Sequence, residues 1–340
     1  MQPKLWIITG ANGHFANTLV RELLAQKESV LGFVLTGDQS KALAGLGVEI
    51  VEGNIVDPAN IEHLIDDCGT DVKDICLIHA AGIVSIDFKE KERIHQVNVG
   101  GTRNIAEICL RKGIGRFVYI SSVHAIPELP DKQTIIEVTK FDPDWVEGLY
   151  AKSKAEATRE VLQLIDAGLS ANLVFPSGMI GPNDYGCSHM TQMVLDYGAG
   201  RLKAYVDGGY DFADVRDVAA AVICVVKERA SGEHYILSGD YISVKEIVTA
   251  LGKVFPATQC TTKMPLALAK ASAPLAEIYY RLLKQKPLYT RYSLFTLASN
   301  SNFSHALASH DIGYAPRKAE ESLIDMAHWL IDNGRIKKGS

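Results

Sequence analysis

The stretch Leu5-Trp6-Ile7-Ile8-Thr9-Gly10-Ala11-Asn12-Gly13-His14-Phe15-Ala16 decides how the rest of the chain is read. Leu5–Ile8 is a short, continuous apolar run, the pattern of a strand buried on both faces. From Ala16 to Leu24 the apolar residues recur at helical spacing. A buried strand that turns on glycines directly into a helix makes a site for phosphate. Gly10 allows the sharp turn, Gly13 lets the backbone approach a pyrophosphate, and the helix start offers N–H groups and a positive dipole end. The spacing is Gly-x-x-Gly-x-x-Ala, with Ala16 where close helix–strand packing asks for a third small residue.

Composition bounds the classes. The chain has 340 residues, 47% hydrophobic and 22% charged, with a formal net charge of −5. That suits a globular protein with a sizeable core, and no basic stripe points to nucleic acid. The six cysteines, Cys68, Cys76, Cys109, Cys187, Cys224 and Cys260, form no Cys-x-x-Cys pair and have no histidines at metal spacing. They read as reduced core thiols with no metal site. The first strand starts at the amino terminus without a leader pattern, and no apolar run reaches the roughly 18–20 residues that span a bilayer. A cytoplasmic protein without a membrane span is expected.

Taken outward from the turn, the chain alternates. Strands are expected at Ser29–Leu35, Val48–Val51, Asp74–Ile78, Arg116–Ser121 and Ala171–Phe175. Helices are expected near Gln39–Gly45, Ala59–Cys68, Lys91–Lys112 and Asp144–Ala167. Asp57 as cap and Pro58 at the first helical position make a start signal for the second of these. Repeated strand–helix–strand means a doubly wound parallel α/β sheet with helices on both faces, and ligands bind beyond the carboxyl ends of its strands. After Pro176 the texture changes. Gly, Pro and Asn cluster through Tyr185-Gly186; a helix near Met190–Tyr197, a strand at Leu202–Val206 and a helix through Ala219–Glu228 follow. Residues 1–176, with a return segment 211–236, read as the dinucleotide-binding domain. Residues 177–210 and 237–340 read as a smaller, mostly helical substrate-binding lobe.

The chemistry is carried by Tyr150-Ala151-Lys152-Ser153-Lys154. Tyr150 and Lys154 are four apart on an expected helix and share one face. An ammonium beside a phenol favours the phenolate and makes tyrosine a usable general acid or base. The same pair also occurs on ordinary solvated helix faces. Here, however, it follows Ser121-Ser122, two hydroxyls at the end of a buried strand beside the expected phosphate site. Such a hydroxyl either donates to a substrate oxygen or merely caps the next turn.

At this point the residues resemble the extended short-chain dehydrogenase/reductases, the NAD-dependent epimerase/dehydratase type. Thr9–Ala16 resembles the family's glycine turn, and Asn54-Ile55-Val56-Asp57 its adenine loop, with Asn54 in place of an acid. His79-Ala80-Ala81-Gly82 resembles the strand-four wall, and Val97–Asn104 the helix-four signature. Phe117–Ser122, Tyr150–Lys154, Pro176–Pro182 and Asp214–Ala219 follow in the family's order. The resemblance implies a Rossmann-type fold and a Ser-Tyr-Lys set. Tyr150 is then the catalytic acid/base, Lys154 the holder of the nicotinamide ribose, and Ser122 the residue that positions the substrate oxygen. It implies cofactor contacts from Thr9, Gly10, Asn12, Gly13, His14, Phe15, Asp38, Asn54, Ile55, Ala80, Ala81, Gly82, Asn98, Tyr150, Lys154, Pro176, Ser177, Gly178 and Met179. Asn98 serves there as a support for helix four or in a water relay.

Within that family, dehydratases carry an acidic pair after the serine, where this chain has Val123-His124-Ala125. Sugar-nucleotide epimerases show Arg-x-x-Asn-x-x-Gly-Pro after strand six. Here Phe175-Pro176-Ser177-Gly178-Met179-Ile180-Gly181-Pro182 lacks both the arginine and the asparagine, and resembles instead the dihydroflavonol 4-reductase and 3β-hydroxysteroid dehydrogenase branch. Hydride transfer between a nicotinamide and a ketone, an aldehyde or a secondary alcohol is the expected activity. The alternatives are a nucleotide-sugar epimerase with tightly bound NAD and a non-catalytic dinucleotide sensor. At the end of strand two, Asp38 stands where NADP users place an arginine, which favours NAD. Lys41, on the next helix, leaves NADP open. His124 and Tyr185 are candidates to line the substrate pocket. An apolar helix is expected over Met264–Leu283, packing in the small lobe or against a surface. The long helices Lys91–Lys112 and Asp144–Ala167 resemble those through which relatives dimerise, so a homodimer is expected.

Overall fold

The computed structural model of the chain describes residues 1–38, 40–84, 90–130, 133–269, 271, 273 and 291–336. Seven strands form one parallel sheet: β1 (Leu5–Thr9), β2 (Val30–Leu35), β3 (Glu49–Gly53), β4 (Ile75–His79), β5 (Arg116–Ile120), β6 (Ala171–Pro176) and, at one edge, β10 (His234–Leu237). Their order is β10-β6-β5-β4-β1-β2-β3. From β1 the chain winds outward through β2 and β3, then returns to β4 on the other side of β1 and winds the opposite way. The order therefore reverses between β1 and β4, in register Thr9 with His79. A reversal of this kind opens a crevice at the strands' carboxyl ends.

Alternate residues of each strand feed two cores. Ile7, Leu77, Phe117 and Leu173 face α2 (Pro58–Asp66), α4 (Thr102–Lys112) and α5 (Leu149–Asp166). Trp6, Ile8, Ile78 and Val118 face α1 (His14–Ala25) and α7 (Val215–Glu228). Each fully buried aliphatic or aromatic side chain contributes about 1.5–3 kcal/mol relative to exposure. That is why the strands read as unbroken apolar runs.

The remaining elements are mostly helical: α6 (His189–Gly198), α8 (Val244–Val254), α9 (Arg291–Thr296), α10 (Ala306–Ile312) and α11 (Ala319–Asp332). They surround a three-stranded sheet of β7 (Gly178–Ile180), β9 (Gly209–Asp214) and β11 (Asp240–Ser243). A pair of β8 (Ala204–Val206) with β12 (Thr262–Met264) completes this part. Val194, Tyr197, Phe212, Leu251, Leu323 and Met326 share its core. Asp214 caps α7 and, with Asp325, brackets Arg216, while Arg317 pairs with Asp217. Charge thereby ties α7 to α11.

Several expectations need correction. The described part of the expected Gln39–Gly45 helix is a turn over Ala42–Gly45, ended by Gly45 and Gly47 at φ +75° and +68°. Lys91–Lys112 is helical throughout, but between α3 (Lys91–His95) and α4 a π-helical segment runs Gln96–Gly101. There a Cβ on Gly101 would lie 2.7 Å from Ile55 Cδ1, so the small residue allows close packing. The Asp144–Ala167 helix is broken: a 3-10 turn at Pro143–Trp145 ends before Gly148, whose φ of +96° resets the chain, and α5 begins at Leu149. Strand β10 is too short to stand out from its return segment. The Met264–Leu283 helix, with Lys270, Glu277 and Arg281, lies largely outside the described residues. Among those described, no helix is long and apolar enough to cross a membrane.

Candidate active site

The turn after β1 is shaped by backbone contact. Gly10 has φ +66°, and a Cβ there would lie 2.7 Å from Ala81 Cα and 2.9 Å from Ala81 N. Only glycine lets the loops after β1 and β4 touch in this way. Gly13 donates its N–H to Gly10 O at 2.8 Å and caps α1 with backbone alone, without a side-chain hydrogen bond. A glycine cradle facing an uncapped helix start has the shape and polarity for a pyrophosphate. Asn12 is half-buried on this turn, and Phe15 points into the core. His14 Nε2 donates to Pro182 O at 2.9 Å; burial lowers its pKa, so it is a neutral donor.

Asp38 is exposed past the end of β2 and accepts from Ser40 N at 2.8 Å. Beside it Glu52 of β3 accepts from Gly37 N at 3.1 Å, a second carboxylate that no motif announced. Asn54 is used structurally: its N–H donates to Asn60 Oδ1 and its Oδ1 accepts from Val56 N. Ile55 is buried against Gly101.

Beyond β4, Ala81 meets the Gly10 turn, Ala80 packs on the α1 side of the core, and a Cβ on Gly82 would lie 3.3 Å from Asn98 Oδ1. Asn98, buried on the π-helical segment, accepts from Ile83 N at 2.7 Å. It donates to Ile83 O and to Ser153 Oγ, both at 3.0 Å, so it clamps the strand-four loop to α5. At the end of β6, Pro176 closes the strand and Ser177 N donates to Leu237 O. Gly178 sits where a Cβ would be 2.6 Å from the Phe212 ring, and Met179 packs against the α1 side of the core.

Tyr150 lies in the first turn of α5, half-buried, with the His124 ring edge-on at 6.0 Å. Lys154, one turn further, is only 6% exposed. Its Nζ donates to Ile120 O at 2.7 Å and rests 4.8 Å from the Tyr119 ring centre. Burial disfavours the charged amine and lowers its pKa to about 7. The two serines diverge. Ser121 is tied to Thr158 of α5 at 2.7 Å, whereas Ser122 Oγ accepts from His124 N at 3.2 Å. A hydroxyl that accepts this N–H keeps its own proton to donate. Next to Tyr150 a cavity of 80 Å³ is lined by Val123, His124, Trp145, Ala151, Tyr210 and Phe303 among others. His124 is half-buried, and desolvation lowers its pKa to about 4. Tyr185 is not brought to this cavity: Arg21 lies over its ring and Trp329 packs edge-on at 5.1 Å. Nothing local marks the hydroxyls of Tyr210 and Tyr119: each tyrosine lies two residues from a phenylalanine in its strand, Phe212 in Gly209–Asp214 and Phe117 in Arg116–Ile120.

A family model for the NAD dependent epimerase/dehydratase family matches residues 6–238. Sterol demethylase protein B of Methylococcus capsulatus is 27% identical over 97% of this chain and 99% of its own. The 2-alkyl-3-oxoalkanoate reductase of Shewanella oneidensis is 27% identical over 91% of this chain and 81% of its own. Among solved structures, the crystal structure of gox2253 is 29% identical, covers 98% of this chain and 100% of that one, and has a TM-score of 0.82.

Proposed function

The chain belongs to the NAD dependent epimerase/dehydratase family, and from that premise we propose that it is a nicotinamide-dependent reductase or dehydrogenase acting on a ketone, an aldehyde or a secondary alcohol. The observation that carries this reading is the burial of Lys154. A Tyr-Lys pair on an ordinary solvated face leaves the ammonium in water, whereas here Nζ sits on Ile120 O at 2.7 Å, one turn below Tyr150. A fixed ammonium in low dielectric acts on a neighbouring phenol far more strongly than a hydrated one.

The residues present fit a dinucleotide. The Gly10–Gly13 turn and the start of α1 would hold the diphosphate, with Thr9, Asn12, His14 and Phe15 shaping the turn. Asp38 would take the adenosine ribose, and Asn54 with Ile55 the adenine. Ala80–Gly82, Lys154 and Pro176–Met179 would border the nicotinamide end. Asp38 and Glu52 together make the end of β2 unfavourable for a 2′-phosphate, which supports NAD over NADP. When bound, the nicotinamide supplies or receives the hydride. Tyr150 Oη gives a proton to the carbonyl oxygen in reduction and takes it back in oxidation. Ser122 Oγ donates a hydrogen bond to the same oxygen, and Lys154 favours the phenolate. The names of the reductase relatives support this class of reaction. A homodimer through α4 and α5, which the family resemblance implies, is tested by light scattering on the purified protein.

The test mixes purified protein with NADH and, separately, NADPH, and follows loss of the reduced coenzyme across a panel of ketones and aldehydes, beside Tyr150→Phe. Turnover that falls on the order of 10²-fold or more in the variant is expected. No turnover with any carbonyl, together with NAD that co-purifies, would overturn the reading in favour of an epimerase.

A further inference from the structure

Lys154 has a second polar neighbour besides Ile120 O. The Tyr119 hydroxyl, on β5, is 3.4 Å from Nζ. The ammonium rests 4.8 Å from the centre of the Tyr119 ring, and the His79 ring stacks on that tyrosine at 5.8 Å and 20°.

The protons around Tyr119 can be placed by following which hydroxyls have already committed theirs. Thr102 Oγ1 donates to Asn98 O at 2.6 Å, so it accepts from His79 Nε2 at 2.9 Å. His79 Nδ1 is then bare and accepts from Thr9 Oγ1 at 2.8 Å, whose oxygen accepts from Ala81 N at 3.3 Å. On the other side Thr158 Oγ1 donates to Lys154 O at 2.7 Å, so Ser121 donates to Thr158. An ammonium has protons and no lone pair, so at Tyr119 it is the phenol oxygen that accepts from Lys154 Nζ.

We propose that Tyr119 is a positioning residue for Lys154: its hydroxyl oxygen accepts from the ammonium, and the buried chain Thr9–His79–Thr102 holds the His79 ring on which the Tyr119 ring stacks. The groups facing Nζ agree with this. From β4 comes His79, which burial keeps neutral; from β5 comes Tyr119, which burial keeps protonated; from its own helix comes Tyr150. The chain runs from the residue that opens the glycine turn to the amine that serves Tyr150, so it links the two halves of the proposed site. The inference rests on the Tyr150–Lys154 reading for its meaning, but its test requires neither substrate nor coenzyme.

The full chain with carbon-13-labelled lysine is titrated by NMR, and Lys154→Met assigns the Lys154 signal. In Tyr119→Phe, which keeps the ring and removes the acceptor, the Lys154 midpoint is expected to fall by about one pH unit, the size of one charge-assisted hydrogen bond. Coincident midpoints in the two proteins would overturn the proposal. Should the variant not fold, 3-fluorotyrosine placed at position 119, a poorer acceptor of similar shape, is expected to lower the midpoint, and an unchanged one counts against the proposal equally. Failure of every carbonyl substrate would sink the reductase reading and leave this result standing.

Discussion

Tyr210 places its hydroxyl 3.2 Å from His124 Nε2, while the two rings stack at 5.6 Å and 11°. Tyr210 belongs to β9 of the three-stranded sheet, and His124 to the loop after β5 of the main sheet. Through this pair the C-terminal part of the chain reaches the cavity beside Tyr150. Tyr210→Phe keeps the stack and removes a hydrogen bond worth about 0.5–1.5 kcal/mol. We expect KM for the best carbonyl substrate to rise about threefold to tenfold with kcat nearly unchanged. Steady-state kinetics decide it: a fall in kcat at constant KM would mean that the contact forms in the transition state instead.

Burial lowers the pKa of His124 from 6.5 to about 4 and that of His79 from 6.5 to about 3. Below 6.5 the unfolded chain binds protons that the folded chain refuses, so stability is full above that pH and is lost as pH falls toward the folded values. Melting temperatures recorded across this window should decline, and His124→Gln should decline less steeply than the parent. Parallel curves for the two proteins would show that His124 carries none of the effect.

For Lys154 the window lies on the other side of neutrality. Its pKa is lowered from 10.5 to about 7, so the folded state gains stability as pH rises from the lower value to the higher. Lys154→Met removes a buried charge. It should melt above the parent at neutral pH, with the gap closing toward pH 10.5. Its turnover should fall on the order of 10²-fold or more. A variant that melts lower at every pH would indicate that the bond to Ile120 O outweighs the burial of the amine.

Gly10→Ala should act on the coenzyme site and the fold together. The φ of +66° and the 2.7 Å approach to Ala81 Cα leave no room for a side chain. A strained position of this kind costs about 1–3 kcal/mol. Urea unfolding should show that loss, and reduced-coenzyme fluorescence should show weakened binding. Gly45→Ala, at φ +75° with no atom within reach of its Cβ, should leave binding intact.

Coenzyme choice is tested at Asp38. Replacing the exposed carboxylate by a guanidinium, Asp38→Arg, supplies a bidentate partner for a 2′-phosphate. The ratio of kcat/KM for NADPH over NADH should rise about tenfold or more. An unchanged ratio would place the discriminating contact elsewhere, with Lys41 the next residue to replace.

The strands, the glycine turn and the order of motifs were legible because their causes are local. A strand buried on both faces has to be apolar throughout, a turn at φ +66° selects glycine, and Asp57-Pro58 starts a helix by filling its own first turn. Tyr150 and Lys154 share a face because helical geometry puts residues four apart together. Local pattern misread the Gln39–Gly45 and Asp144–Ala167 helices, where glycines at positive φ override helical spacing. It was silent on everything that depends on contacts between distant strands. That Lys154 is buried on Ile120 O, that Ser121 turns to Thr158 while Ser122 accepts from His124 N, and that Tyr185 packs on Trp329 follow only from tertiary placement. So does the arrival of Tyr119, Tyr210 and Glu52 beside groups as many as 86 residues away. Sequence periodicity records which face of an element is buried; which partner waits on that face is decided when the sheet is assembled.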